Sequence, residues 1–186
     1  MTMLQIIIQG RGGQGAQTAG NLLARAYFAE GRQVQAFASY GGARRGTPVS
    51  SFLRVDDRPV RLRCDIERAD AILCFDASLL QGALLAAAHP ATLIIVNSTR
   101  SPADFRAALP GYRVVPLDGL AIARRHGLGR IVNSALIGGL ARAVGDPALP
   151  VLERLLQTES PKLRDENVAA CGAGYHAVDA QMREAA

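Results

Sequence analysis

A glycine cluster near the N-terminus is the part of the sequence with the strongest chemical pattern. Gly10-Arg11-Gly12-Gly13-Gln14-Gly15 has the spacing GxGxxG and lies between an isoleucine-rich stretch and a segment with helical spacing. In a strand–turn–helix unit such glycines let the backbone approach a phosphate, and the N–H groups at the start of the helix attract the anion. The same pattern also fits a tight turn with close helix–sheet packing that binds nothing.

A second loop carries two adjacent arginines, Arg44 and Arg45. They lie within Tyr40 to Pro48, directly after a second predicted strand, Val34 to Ser39. In a parallel sheet this loop leaves the same carboxyl edge as the glycine cluster, which is the edge where open α/β sheets bind ligands. The pair can bind a phosphate, dock on a carboxylate of a partner, or stay solvated on the surface.

The rest of the sequence lacks the residues of a catalytic or metal centre. A dinucleotide site of the NAD type needs an acidic residue at the end of the second strand, where this chain has Ser39-Tyr40. There is no GxSxG, Walker lysine or HExxH motif. Cys64, Cys74 and Cys171 form no CxxC pair, so they predict neither a zinc site nor cluster ligands, and Cys74 reads as a buried thiol. We therefore predict no catalytic residue and no metal site in this chain.

The elements that position these loops alternate between strand and helix. Helical spacing begins at Ala16 and ends at Gly31, and it follows the strand Met3 to Gln9. A partly alternating stretch, Val49 to Val55, precedes the turn Asp56-Asp57 and predicts a hairpin with Val60 and Leu62. Three further strands alternate with two helices: Ala71 to Phe75, Ser78 to Ala88, Leu93 to Val96, Pro102 to Leu109, and Val114 to Leu117.

From Gly119 onward the spacing is helical, with Asn133 as a candidate cap of a helix that runs to Val144. We predict an α/β fold: a mainly parallel, Rossmann-like sheet with helices on both faces, a β-hairpin insertion and a helical C-terminal third. No linker or repeat divides the chain, so we expect a single domain over residues 1–186.

The charge distribution indicates what kind of partner the chain has. Residues 1–63 hold nine arginines and three acidic residues, a surplus of six, whereas residues 64–186 hold twelve basic and thirteen acidic residues. The basic third predicts an anionic ligand, an acidic partner surface or a solvated face. The chain lacks the lysine-rich runs and aromatic platforms of single-strand nucleic-acid binders, so we predict no nucleic acid. Unpaired cysteines and the short apolar N-terminus predict a cytoplasmic protein without membrane insertion.

Several motifs together resemble one family along nearly the whole chain. They are the glycine cluster with Ala16-Gln17-Thr18, then Ala36 to Gly41 and Arg44 to Val49, and in the C-terminal half Asn133 to Leu140 and Glu166 to Tyr175. In order and spacing they are similar to the γ subunit of 2-oxoacid:acceptor oxidoreductases of the pyruvate/ketoisovalerate type.

The resemblance implies a multisubunit enzyme that decarboxylates a 2-oxo acid on thiamine diphosphate, passes electrons through 4Fe–4S clusters and hands the acyl group to coenzyme A. It implies a hetero-oligomer in which partner subunits hold thiamine diphosphate, magnesium and the clusters, since Gly145-Asp146 is followed by Pro147 and no thiamine-type GDG motif occurs. In single-chain relatives the corresponding domain helps hold coenzyme A with the loop matching Gly10 to Gly15. The resemblance thus implies a coenzyme A site, shared with partners, to which we also assign Arg44 and Arg45.

The resemblance leaves open which 2-oxo acid is oxidised and whether ferredoxin or NAD accepts the electrons. A free-standing, Rossmann-like nucleotide-binding protein without redox partners is the alternative that shares the glycine cluster. Retention of nucleotide by the isolated chain would distinguish it.

Overall fold

The computed structural model describes residues 3–40 and 46–184, which contain six strands and seven helices. The strands are β1 (Leu4–Arg11), β2 (Gln33–Tyr40), β3 (Pro48–Asp56), β4 (Ala71–Cys74), β5 (Leu93–Asn97) and β6 (Arg113–Leu117). The helices are α1 (Ala16–Ala29), α2 (Gly82–Ala86), α3 (Pro102–Ala108), α4 (Gly119–Arg125), α5 (Asn133–Val144), α6 (Leu149–Glu159) and α7 (Arg164–Glu184). Gly31, with φ of 81°, follows the end of α1, where the sequence predicted a glycine stop.

The strands form one mixed sheet in the order β2-β3-β1-β4-β5-β6. Strands β1, β4, β5 and β6 are parallel, as predicted, whereas β3 runs antiparallel to both of its neighbours, β1 and β2. Two antiparallel pairings bring β2 back to the direction of β1. The carboxyl ends of β1 and β2 therefore lie at the same edge, with β3 between them.

The predicted hairpin is wrong in its second arm. Residues 57–70 contain no strand, and the hairpin that forms joins β2 to β3 instead. The physical reason is that β3 is buried along most of its length, as an inner strand must be, whereas Leu62 is 49% exposed. The buried guanidinium of Arg54 on β3 donates hydrogen bonds to the carbonyls of Cys64 and Asp65, which holds this irregular segment against the sheet.

Helices cover both faces of the sheet, as predicted. Ile6 and Ile8 point into a core with α1 and the C-terminal helices, whereas Ile7 points into a smaller core with α2 and α3. This alternation follows from the two-residue period of a strand. Cys74 is fully buried, in agreement with the sequence prediction. In residues 3–40 and 46–184 no helix is both long and apolar enough to cross a membrane.

Helices α5 and α7 cross at backbone contact. A Cβ atom added at Gly138 would lie 2.0 Å from the carbonyl oxygen of Cys171, and one added at Gly174 would lie 1.9 Å from that of Ala135. No side chain fits at such distances, so glycine at these two positions sets the separation of the helices. The crossing holds the start of α5 in place beside the glycine cluster.

Candidate ligand-binding cleft

The glycine cluster forms a tight turn from the end of β1 into α1. Gly13 and Gly15 both have φ of 93°, a left-handed conformation that favours glycine. The N–H of Arg11 donates to Gln14 Oε1 at 2.6 Å, and the N–H of Gln14 donates to the carbonyl of Arg11 at 2.9 Å. The side chain of Gln14 therefore closes the turn, and local hydrogen bonds hold the conformation of the backbone between β1 and α1.

The glycines of this turn differ in what surrounds them. A Cβ atom at Gly10 would lie 3.1 Å from Cβ of Phe75, and one at Gly15 would lie 2.4 Å from Nδ2 of Asn133. At Gly13 no heavy atom of the described chain lies within 4 Å of that position. Gly10 and Gly15 thus serve close packing, whereas Gly13 presents its backbone to open space where a ligand can approach.

The guanidinium of Arg11 is engaged within the protein. Its Nε donates to Asp76 Oδ2 at 2.7 Å, its Nη2 donates to Ser78 Oγ at 2.8 Å, and its Nη1 donates to the carbonyl of Gly46 at 3.3 Å. Desolvation raises the pKa of Asp76, but hydrogen bonds from Ser78 and Arg11 outweigh it and lower that pKa below its ordinary value of 3.8. Arg11 therefore anchors the glycine turn to the segment after β4.

Asp76 caps the short 3-10 turn Ala77–Leu79 that follows β4. Its carboxylate accepts from the N–H of Ser78 at 3.0 Å. The cap and the ion pair with Arg11 use the same carboxylate, so the turn after β1 and the turn after β4 are one hydrogen-bonded unit.

The loop that carries Arg44 and Arg45 begins and ends beside the glycine turn. Tyr40 at the end of β2 pairs with Val49, which pairs with Gly10, and the N–H of Gly12 donates to the carbonyl of Thr47 at 2.9 Å. The shared edge predicted from the sequence is therefore present, although β3 separates the two strands. Arg44 and Arg45 themselves lie outside the described residues.

A cleft of about 1360 Å³ opens at this edge of the sheet. Its walls are the glycine turn with the first turns of α1, the segment from Arg130 to Ser134 at the start of α5, and the segment from Ser160 to Leu163 between α6 and α7. A buried hydrogen bond from Ser134 Oγ to Asn167 Oδ1, 2.6 Å long, joins the start of α5 to α7. Asn167 Nδ2 in turn donates to the carbonyl of Leu163 at 2.7 Å, which fixes that residue at the cleft.

The N-termini of two helices meet at the cleft. In the part of the chain that the structure describes, neither α1 nor α5 has a side-chain cap or an acidic residue in its first turn. Asn133 was predicted to cap α5, but Val132 occupies that position. The side chain of Asn133 instead donates to the carbonyl of Gly15 at 3.1 Å. Because helix N-termini carry partial positive charge, their convergence favours an anionic group.

The outer rim of the cleft adds basic and apolar side chains that the sequence analysis did not select. Arg130 and Lys162 are exposed, and their side chains have no hydrogen-bond or ion-pair partner among residues 3–40 and 46–184. Ile131 and Leu163 follow them in sequence and are 51% and 43% exposed. Arg25, by contrast, is paired with Glu159. The sequence signal for these rim residues is only a basic residue followed by an apolar one in each of two loops.

The fold is of the α/β class, and its open cleft lies at the carboxyl edge of the sheet, the edge at which open α/β sheets bind ligands. The family model described as pyruvate ferredoxin/flavodoxin oxidoreductase matches residues 5–177, so the chain belongs to that family. Within the family it is of the γ-subunit type.

Two relatives and two solved structures show how far the similarity extends. The common γ subunit of pyruvate/ketoisovalerate oxidoreductases from Thermococcus kodakarensis is 37% identical over 179 residues, covering 94% of this chain and 96% of that subunit. The γ subunit of NADH-dependent phenylglyoxylate dehydrogenase from Aromatoleum evansii is 35% identical, covering 93% of each chain. Pyruvate oxidoreductase subunit PORC from Thermotoga maritima superimposes with a TM-score of 0.83 at 29% identity, covering 95% of this chain and 97% of that one.

The second structure shows the same fold inside a longer chain. The 2-oxoglutarate:ferredoxin oxidoreductase of Magnetococcus marinus, solved with 2-oxoglutarate, coenzyme A and succinyl-CoA bound, has a TM-score of 0.79 at 18% identity. The match covers 97% of this chain and 32% of that one. The fold of this subunit therefore also occurs as one part of a larger polypeptide.

Proposed function

We propose that this chain is the γ subunit of a multisubunit oxidoreductase that oxidatively decarboxylates a 2-oxo acid to an acyl-CoA, and that its cleft binds part of coenzyme A. The observation that carries the proposal is the convergence of the glycine turn and two helix N-termini on one cleft with unpaired cations at its rim. The binding of coenzyme A by the Magnetococcus marinus enzyme supports the choice of ligand.

The two ends of the cleft suit different parts of coenzyme A. The backbone from Gly12 to Gly15 and the start of α1 suit the diphosphate, because N–H groups and the helix end act on a phosphate at close range. Arg130 and Lys162 suit the 3′-phosphate, since each offers a cation that no described residue neutralises. Ile131 and Leu163 lie beside them and provide the apolar surface that an adenine ring requires.

The chemistry of oxidation is assigned to partner subunits. Thiamine diphosphate with magnesium supplies decarboxylation, and 4Fe–4S clusters supply electron transfer. The cysteines of this chain do not fit a cluster, because Cys74 and Cys171 are buried in different cores while Cys64 is exposed. The part played by this chain is to bind and orient the acyl acceptor next to the subunits that generate the acyl group.

Arg44 and Arg45 complete the proposal on sequence grounds. The strands that flank their loop lie beside the glycine turn, so we assign the pair to the coenzyme A site or to a docking surface for an acidic partner. A pair that stays solvated on the surface is the third outcome and would contradict this assignment. The family assignment disfavours the alternative of a free-standing nucleotide-binding protein.

The test is the variant Gly13→Val in the assembled oxidoreductase. A β-branched side chain at φ of 93° disturbs the turn and fills the open space above Gly13, so we expect a raised KM for coenzyme A with little change in the KM for the 2-oxo acid. Gly111→Val is the matched control, because Gly111 has φ of 88°, has equally open described surroundings and lies outside the cleft. Unchanged coenzyme A kinetics in an intact Gly13→Val complex would remove the cleft from the site.

A further inference from the structure

Strand β2 forms one end of the sheet and has a long unpaired side. All eight of its residues pair with β3, and its other side has no partner strand among the described residues. The strand at the opposite end, β6, is only five residues long. The sheet therefore ends in two edges of very different length.

The hydrogen-bond pattern identifies the groups that β2 presents at its edge. The carbonyls of Gln5 and Gln9 accept bonds from Asp70 and Phe75, so the odd-numbered residues of β1 face β4 and the even-numbered ones face β3. Carried through the two antiparallel registers, this alternation directs the N–H and C=O groups of Val34, Ala36 and Ala38 away from β3. Three donors and three acceptors are thus aligned along the edge.

This strand lacks the charged residues and the proline that hinder strand-to-strand association. Gln33–Tyr40 contains no charged residue and no proline. In contrast, β6 contains Arg113 and Pro116, and Gln181 Nε2 donates to the carbonyl of Pro116 at 2.9 Å, which covers that edge. Natural sheets blunt their free edges with charge, proline or a covering element. A long edge without charged residues or proline is expected where another strand is added.

We propose that β2 is the docking edge for an extended segment of a partner subunit, which adds a seventh strand to the sheet. This inference rests on the proposed function, since it requires the partner subunits of the oxidoreductase. The partner segment is uncharged where it pairs with β2, because β2 itself has no charged residue. It is acidic where it flanks the edge, because residues 1–63 carry a surplus of six positive charges. A second copy of this chain would bring that basic third against itself. Main-chain pairing supplies the affinity in this binding mode.

Hydrogen exchange of individual amides in the isolated chain and in the purified complex tests the proposal. The amides of Val34, Ala36 and Ala38 should exchange rapidly in the isolated chain and at least tenfold more slowly in the complex. The amides of Gln35 and Phe37, which face β3, are the internal control and should be protected in both. Rapid exchange of the three outward amides in an intact complex would overturn the proposal.

A proline variant separates docking from folding. Ala36→Pro removes an outward N–H without removing a bond to β3, so the isolated chain should fold while its association with the partner subunits weakens at least tenfold. Val114→Pro is the matched control, because the same alternation directs the N–H of Val114 away from β5. It should leave association unchanged.

The remaining outcomes also decide the question. Slow exchange of the three amides in an isolated dimer of this chain would make a second copy the occupant and overturn the proposal. The absence of any complex with thiamine- and cluster-bearing subunits in the native organism would overturn the proposed function, and this inference with it. An intact, active complex with an exposed β2 edge would overturn this inference alone.

Discussion

Gly13 and Gly15 offer a direct measurement of what the glycine turn requires. Both have φ of 93°, so alanine at either position meets the same left-handed strain, about 1–2 kcal/mol. Gly15→Ala has a second cost, because its Cβ atom would lie 2.4 Å from Nδ2 of Asn133 and displace a side chain that donates to the carbonyl of Gly15. Losing that hydrogen bond costs about 1 kcal/mol. We expect Gly15→Ala to lower Tm by about 2–4 °C more than Gly13→Ala.

The contribution of Asn133 can be isolated with a double-mutant cycle. In an Asn133→Ala background the obstructing side chain is absent, so the two glycine variants should differ by less than about 0.5 kcal/mol in the free energy of unfolding. Urea and thermal unfolding of the isolated chain provide the measurement. If Gly15→Ala and Gly13→Ala cost the same in the wild-type background, or if their difference survives in Asn133→Ala, the packing argument for Gly15 is refuted.

Three further predictions concern other parts of the molecule. In the complex, Arg130→Ala with Lys162→Ala should raise the KM for coenzyme A about tenfold, with little effect on the KM for 3′-dephospho-coenzyme A. Arg106→Ala, on α3 at the other face of the sheet, is the control. Equal effects of the double variant on the KM values for both substrates would refute the assignment of the 3′-phosphate. Burial raises the pKa of Asp146 to about 6, so the folded chain keeps a proton that the unfolded chain loses, and stability should fall between about pH 4 and pH 6. The loss is about 1 kcal/mol after allowance for solvent screening, and Asp146→Asn should flatten it in urea unfolding. Burial also raises the pKa of Cys74 to about 11 and of Cys171 to about 12, so only exposed Cys64 should react quickly with a thiol reagent at pH 8. Fast labelling that persists in Cys64→Ser would contradict the burial of the other two.

The parallel strands β1, β4, β5 and β6 could be predicted from the sequence, because each is a short apolar run between turn or helix signals. Strand β3 was recognised as a strand from its alternation, but its place between β1 and β2 was not. The position of a strand in a sheet depends on which neighbouring strands bury it. The alternating pattern of Val49 to Val55 is the same whichever strands lie beside it, so the pattern does not identify β1 and β2 as its neighbours. The incorrect prediction of a strand at Val60 and Leu62 has the same cause. Local alternation does not show that Arg54 hydrogen-bonds to the carbonyls of residues 64 and 65 and holds this segment in an irregular conformation.

The glycine turn was found from spacing, whereas the opposite walls of the cleft were not. Arg130 and Lys162 are more than a hundred residues from the turn and belong to loops without a recognised motif. They reach the cleft only because the crossing of α5 and α7 brings both loops to the same edge. The role of Asn133 was missed for a similar reason. An asparagine before a helical segment has the same local sequence whether its side chain caps that helix or contacts a distant residue such as Gly15.

The backbone contact between α5 and α7 has a genetic consequence. Substitution of Gly138 or Gly174 by any larger residue must push the helices apart, and α5 carries Asn133, Ser134 and Ile137 into the cleft wall. The displacement would move the wall even though neither glycine lines the cleft. A screen for loss of ligand binding would therefore recover changes at these two glycines, and suppressors would be expected as compensating reductions in volume on the facing helix.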